Sequence, residues 1–319
     1  MRMRALITGM TGFVGGHLVA SLLADDAEVH GTLLVGVDEQ VPAGTVGHPV
    51  DITDAGAMAG LVAEVAPDAI FHLAGAASVG QSFTDPEGTW HVNVNGTRGV
   101  LEGMRRAAVD SRMVLALSGE EYGRVPPEDL PVTEHTPLRP LSPYAKSKVA
   151  ADELCMQYQQ QYGLAVLRLR AFNQVGPGQD PRFVLPSICK QVADAEMAGS
   201  THCRLDLGNI ETRRDFLDVR DVVGAYRLLL DRGDPSRTYV ASTGRSWAIR
   251  DLVEIVVSLA RLPIEVVSDP TRMREGEQAD LYADPRALKD LGWVPRIPLQ
   301  TSIADTLDYW RERAHMEVG

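Results

Sequence analysis

Cysteine is scarce: Cys155, Cys189 and Cys203 are the only three in 319 residues. They are too few and too scattered for a disulfide framework or a zinc site, so no metal is expected. A reducing cytoplasm is the expected home. Long apolar runs are missing too, and none reaches the roughly 18 residues of a membrane span. The short apolar run after Met1-Arg2-Met3-Arg4 stops at Gly9, which does not make a signal peptide. Positive charge is outnumbered, with 31 Lys and Arg against 43 Asp and Glu and a net charge of -12. That balance argues against a nucleic-acid partner. Internal repeats and low-complexity segments are absent. What is there, 45% hydrophobic and 23% charged residues, reads as a soluble globular chain of one large domain or two interleaved ones.

A short apolar strand over 4–8 runs straight into Thr8-Gly9-Met10-Thr11-Gly12-Phe13-Val14-Gly15, followed by a helix to about Ala24. The first glycine allows the tight turn, the second lets backbone approach a pyrophosphate, and the third lets helix pack on strand. Free N–H groups and the positive dipole end of the helix then face the phosphates. Strand before and helix after make this a dinucleotide-binding loop. A second strand is expected over 28–34. An acidic residue at its end would bind a ribose 2′-hydroxyl, and an Arg would accept a 2′-phosphate. The candidate positions Thr32, Leu33 and Leu34 are all uncharged, and Asp38 lies further along, so NAD and NADP both stay open.

Asp51 and Ile52 are candidates to flank an adenine ring, one by hydrogen bond and one by apolar contact. A buried strand over 69–75 runs through Leu73 and ends in the small residues Ala74 and Gly75, which leave room for a ligand at the sheet's carboxyl edge. His72 within it reads as a satisfied core histidine. A long helix is expected over 86–108 and a strand over 112–117. Ser118 at the end of that strand is placed to point its hydroxyl over a nicotinamide.

Ser142 is a good helix N-cap and Pro143 a good first helical residue. Residues 145–161 then contain no Gly or Pro, so Tyr144 and Lys148 fall one turn apart on one helix face. The spacing predicts an ammonium that lowers the phenol's pKa and a phenol that passes protons to or from a substrate oxygen. Strands alternating with helices to about residue 172 predict a doubly wound parallel sheet of the α/β Rossmann type. Shorter mixed pieces beyond it predict a smaller lobe, dividing the chain into 1–172 and 173–319 with some segments returning to the main sheet. Helices are expected there over 183–198, 222–230, 249–260 and 301–313, and short strands over 203–207 and 216–218.

Over the whole chain these residues resemble the extended short-chain dehydrogenase/reductases that act on nucleotide sugars. The glycine loop, Asp51-Ile52, His72 to Gly75, Ser118, Tyr144 with Lys148, Arg214-Asp215-Phe216, Arg274-Glu275-Gly276-Glu277 and Leu291 to Pro295 carry the resemblance. It implies a catalytic set of Ser118, Tyr144 and Lys148. It implies a cofactor site of Gly9, Thr11, Gly12, Phe13, Val14, Gly15, Asp51, Ile52, Leu73, Ala74 and Gly75, with Tyr144 and Lys148. Asn173, Arg214 and Arg274 would hold the substrate diphosphate, since a guanidinium pairs two phosphate oxygens. Phe172 to Gln179, Arg213 to Val219 and Asp269 to Arg274 point to NAD(P)H-dependent reduction of the C4 ketone of GDP-4-keto-6-deoxy-D-mannose. The rival is a GDP-mannose 4,6-dehydratase, with Glu120 as the base at C5, or a nucleotide-sugar 4-epimerase. Ser118 and the missing basic pair after the second strand lean toward the reductase. A non-catalytic dinucleotide sensor would have no need of the Ser118/Tyr144/Lys148 set. The family also implies a homodimer through the helices over 86–108 and 142–161.

Overall fold

The computed structural model describes residues 2–272 and 278–318. The chain begins with β1 (Arg4–Thr8), α1 (Phe13–Ala24), β2 (Glu28–Leu33), β3 (Thr45–Pro49), α2 (Ala55–Val65) and β4 (Ala69–His72). After α3 (Val79–Thr84), a long helix runs as α4 (Pro86–Trp90), a π-helical turn (His91–Asn95) and α5 (Gly96–Ala107). Then come β5 (Arg112–Ser118), α6 (Pro143–Tyr162) and β6 (Ala165–Ala171). The later half holds β7 (Asn173–Val175), α7 (Val184–Met197), β8 (Cys203–Leu207), β9 (Arg213–Arg214), β10 (Phe216–Asp218) and α8 (Val219–Arg232). It continues with β11 (Thr238–Ala241), β12 (Trp247–Ala248), α9 (Ile249–Leu259), β13 (Ile264–Ser268), β14 (Asp280–Leu281), α10 (Arg286–Asp290) and α11 (Leu299–Val318).

Seven strands form one parallel sheet in the order β11-β6-β5-β4-β1-β2-β3. This is the doubly wound sheet that the alternating pattern predicts. The chain works outward from β1 to β3, then returns to β4 and works outward the other way. The crevice at that reversal, over the carboxyl ends of β1 and β4, is where such sheets bind ligands. Side chains alternate across the sheet. Ala5 and Ile7 join one core with α1 and α8; Leu6, between them, joins another with α2, α5 and α6. Complete burial of a side chain such as Leu6 stabilises the fold by about 1.5–3 kcal/mol.

A third core gathers α7, β8, α9 and α11 around Phe216 and Trp310 into the smaller lobe. The later half also sends α8, β11 and α10 back to the main sheet's core. The strand expected over 69–75 ends at His72, and β11 was not among the expected strands; two further features differ from the sequence reading. Thr45–Pro49 forms a strand that its glycine, histidine and proline do not announce. As the outermost strand it pairs on one side only, which is where a strand tolerates proline. The long helix also widens to a π-turn at His91–Asn95.

Candidate active site

The glycine loop closes on itself because Gly9 and Gly15 have no side chains at its tightest points. Gly9 has φ +73°, and a Cβ there would meet the Ala74 backbone at 3.0 Å. A Cβ on Gly15 would stand 2.2 Å from the Gly9 carbonyl oxygen. Gly12 caps α1 with no side-chain acceptor, so the first-turn N–H groups at Phe13 and Val14 are left for a ligand. This uncapped helix start, with backbone close on both sides, fits a dinucleotide pyrophosphate. Leu73 N–H donates to the Thr8 carbonyl and Ala74 N–H to Thr8 Oγ1, which lays the end of β4 along the loop. Ile52 packs its side chain against Gly96 at the edge of the core. The Asp51 carboxylate accepts from Thr53 N–H and Oγ1, which together hold its pKa below the ordinary range.

Ser118 ends β5 and Tyr144 opens α6. Ser142 accepts from Ala145 N–H at 3.0 Å and fixes the start of that helix. The Ser118 and Tyr144 side chains line the same cleft, with Lys148 beside them. Lys148 Nζ donates to the Ala116 carbonyl at 2.9 Å. The expected ammonium-to-phenol effect is not what sets these groups in the structure. Burial pushes the Tyr144 phenol up, with Ser118 pulling the other way. Burial also brings Lys148 down to about 8, against the pull of Glu121. His72 is a satisfied core residue: it bonds Thr8 at 2.7 Å and Thr97 at 3.0 Å, and burial drives its pKa down to about 3.

Two residues that the sequence reading missed hold this group together. Glu121 lies fully buried beneath it, its Oε1 accepting from Ser118 N–H at 2.9 Å and its Oε2 from Arg170 Nε at 2.7 Å. Arg170 also donates to Asp152, which pairs with Arg168. Burial pushes the Glu121 carboxyl up to about 7, with Arg170 pulling the other way. Asn93, in the π-turn, donates to Ser147 Oγ at 2.8 Å and accepts from Ala76 N–H at 2.8 Å. It ties the long helix to α6 and to the chain just past Gly75. A polar pair in the wide turn of a helix was the available signal.

One cleft of about 1350 Å³ runs from the glycine loop past Ser118, Glu120, Tyr144 and Lys148 into the smaller lobe. It exceeds the roughly 300–1,000 Å³ of a pocket for one small molecule, as a site for two ligands should. Asn173 and Arg214 line it too. Arg214 donates to the carbonyls of Arg213 and Gln278. Arg274 lies outside the described residues. The far wall adds side chains the sequence reading did not single out: Lys190, 5.5 Å over the Trp310 ring, and Arg313, which donates to the Tyr309 hydroxyl.

A glycine loop at the reversal of a parallel sheet, with a hydroxyl, a phenol and a lysine gathered beside it, defines a dinucleotide-dependent enzyme of the extended short-chain dehydrogenase/reductase type. A family model described as GDP-mannose 4,6 dehydratase matches residues 6–306. GDP-6-deoxy-D-mannose reductase of Pseudomonas aeruginosa is 36% identical, covering 99% of this chain and 100% of its own length. The structure of RMD from Pseudomonas aeruginosa complexed with NADPH superposes with a TM-score of 0.86 at 35% identity, covering 98% of this chain and 99% of that one. Thermus thermophilus UDP-glucose 4-epimerase in complex with NAD gives 0.84 at 31%, over 97% of this chain and 99% of the other. The chain belongs to the GDP-mannose 4,6-dehydratase family, whose members are NAD(P)-dependent enzymes of nucleotide sugars.

Proposed function

We propose that this protein reduces the C4 ketone of GDP-4-keto-6-deoxy-D-mannose to GDP-D-rhamnose. The observation that carries the reading is the gathering of Ser118, Tyr144 and Lys148 on one cleft that runs from the glycine loop to Asn173 and Arg214 and is large enough for cofactor and nucleotide sugar together. When bound, the reduced nicotinamide supplies the hydride that arrives at C4. Tyr144 gives its phenolic proton to O4, and Ser118 donates a hydrogen bond to the same oxygen. Donors set in advance where charge develops give such sites most of their rate. A phenol kept protonated by burial suits this direction, because ketone reduction asks it for a proton and oxidation asks it to accept one. Lys148, on the same cleft, would hold the nicotinamide ribose and supply positive charge beside Tyr144. Asn173 and Arg214, with Arg274, are assigned to the substrate diphosphate, and Phe13, Val14 and the loop glycines to the cofactor.

The division of labour follows the sequence: 1–172 for the dinucleotide and 173–319 for the nucleotide sugar, with α8, β11 and α10 returned to the first. Three free, buried cysteines suit a reducing cytoplasm. No helix is long and apolar enough to cross a membrane among the described residues. Exposed Trp90 and Met156, on the long helix and on α6, favour a homodimer through those helices. Glu120 lines the same cleft and keeps a second reading alive, a 4,6-dehydratase with Glu120 as base at C5.

The test gives the protein the keto-sugar with reduced cofactor, and separately GDP-mannose with oxidised cofactor. Stoichiometric loss of the nicotinamide absorbance in the first and no keto-sugar in the second is expected. The Tyr144→Phe variant should lose about 10²–10⁴-fold in kcat while binding cofactor normally. Keto-sugar from GDP-mannose without net cofactor change would replace this reading by the dehydratase.

A further inference from the structure

No lysine or arginine occurs from Ala5 through Thr97. That stretch supplies the glycine loop and the carboxyl ends of β1, β2 and β4, the side of the sheet where the adenosine half of a dinucleotide lies. The positions where spacing puts a ribose reader are neutral. Thr32 is buried, and its hydroxyl accepts from Gly9 N–H at 3.3 Å. Past Leu34, however, the chain turns through Gly36, at φ +78°, and brings Glu39 back to the crevice. Glu39 Oε1 accepts from Thr11 Oγ1 at 2.6 Å, and Oε2 accepts from Leu34 N–H at 2.6 Å. A single carboxylate therefore spans the gap between the glycine loop and the end of β2. It arrives from a loop five residues beyond Leu34.

We infer that Glu39 is the specificity-determining residue at the adenosine ribose, and that it selects NADH over NADPH. A carboxylate has about four acceptor directions, and these two bonds use two of them, which leaves capacity for a ribose 2′-hydroxyl. A 2′-phosphate would meet this charge, with Asp38 beside it in sequence, and no lysine or arginine in residues 5–97 to offset either. Like charges set against each other at a binding surface are unfavourable and exclude the wrong ligand. The inference rests on the dinucleotide reading of the loop and is independent of the sugar that is reduced. It separates this chain from its Pseudomonas relative, whose structure carries NADPH.

The test is equilibrium binding without sugar, following nicotinamide fluorescence as NADH or NADPH is titrated into the wild type and into Glu39→Gln. We expect the wild type to bind NADH at least about tenfold more tightly, and Glu39→Gln to bring the two affinities within about threefold. The ratio is taken within each protein, so a partial loss of fold cancels. Competition of ADP-ribose against its 2′-phosphorylated form gives the same ratio on the wild type alone if the variant does not fold. A wild-type preference below tenfold, or an unchanged ratio in a folded Glu39→Gln, overturns the inference. An error in the sugar assignment would leave these ratios untouched.

Discussion

Lys148 and Glu121 are coupled across the floor of the cleft. Burial takes the ammonium down to about 8, and Glu121 is the charge that keeps it from falling further. A group with a depressed lysine pKa is charged below that value and neutral above it. Turnover that depends on the ammonium should therefore fall as pH rises through about 8. Glu121→Gln removes the supporting charge, so the falling limb of the kcat–pH profile should move to lower pH. A limb that stays where it is would show that the ammonium does not govern the rate. The same variant loosens Ser118, whose N–H now donates to Glu121. Sequence made Glu120 the conspicuous carboxylate because its position could be matched to a role. Glu121 acts through Arg170 and Asp152, on β6 and α6, and no spacing within one element reveals a group assembled from three. Tyr144 and Lys148 were legible for the opposite reason, since both stand on one helix whose cap and first residue are written beside them.

At the level of elements, the loop between β1 and α1 carries the strictest packing. A methyl at Gly15 would overlap the Gly9 carbonyl, which lies in the loop itself and not at the end of a flexible side chain. Gly15→Ala should force α1 away from β1. Cofactor affinity should then fall at least about tenfold, and thermal unfolding should come several degrees earlier, as a loss of about 1–3 kcal/mol from overpacking implies. Retained affinity would mean that the loop can open without cost. This loop, α6 and most sheet strands could be read from apolar runs bounded by caps and glycines. Thr45–Pro49 could not. Its pairing with β2 supplies what its composition lacks, and pairing over a distance leaves no mark within the five residues themselves.

For the molecule as a whole, the chain's two halves are not two separable bodies. The doubly wound sheet was legible up to β6, because helix and strand signals alternate regularly that far. Its seventh strand, β11, comes from residues 238–241, after α7 and β8 of the smaller lobe have passed. Nothing local distinguishes it from the short strands that stay in that lobe. Only its pairing with β6, from Thr238 opposite Arg168 to Ala241 opposite Ala171, assigns it.

That pairing has a consequence for the chain during its synthesis. Until residue 241 emerges, β6 is the last strand of the sheet, and its outer row of N–H and carbonyl groups faces water. Val166, Leu167 and Leu169, buried in the finished protein, lie on that unfinished border. Unpaired strand edges recruit other chains, and β-rich intermediates are prone to it while they wait for distant partners. A fragment of residues 1–172 should therefore collect in the insoluble fraction when expressed alone, whereas the full chain stays in solution. A soluble, cofactor-binding fragment would show that the border is protected some other way. If the expectation holds, the seventh strand serves as the cover that ends a hazardous interval on the ribosome.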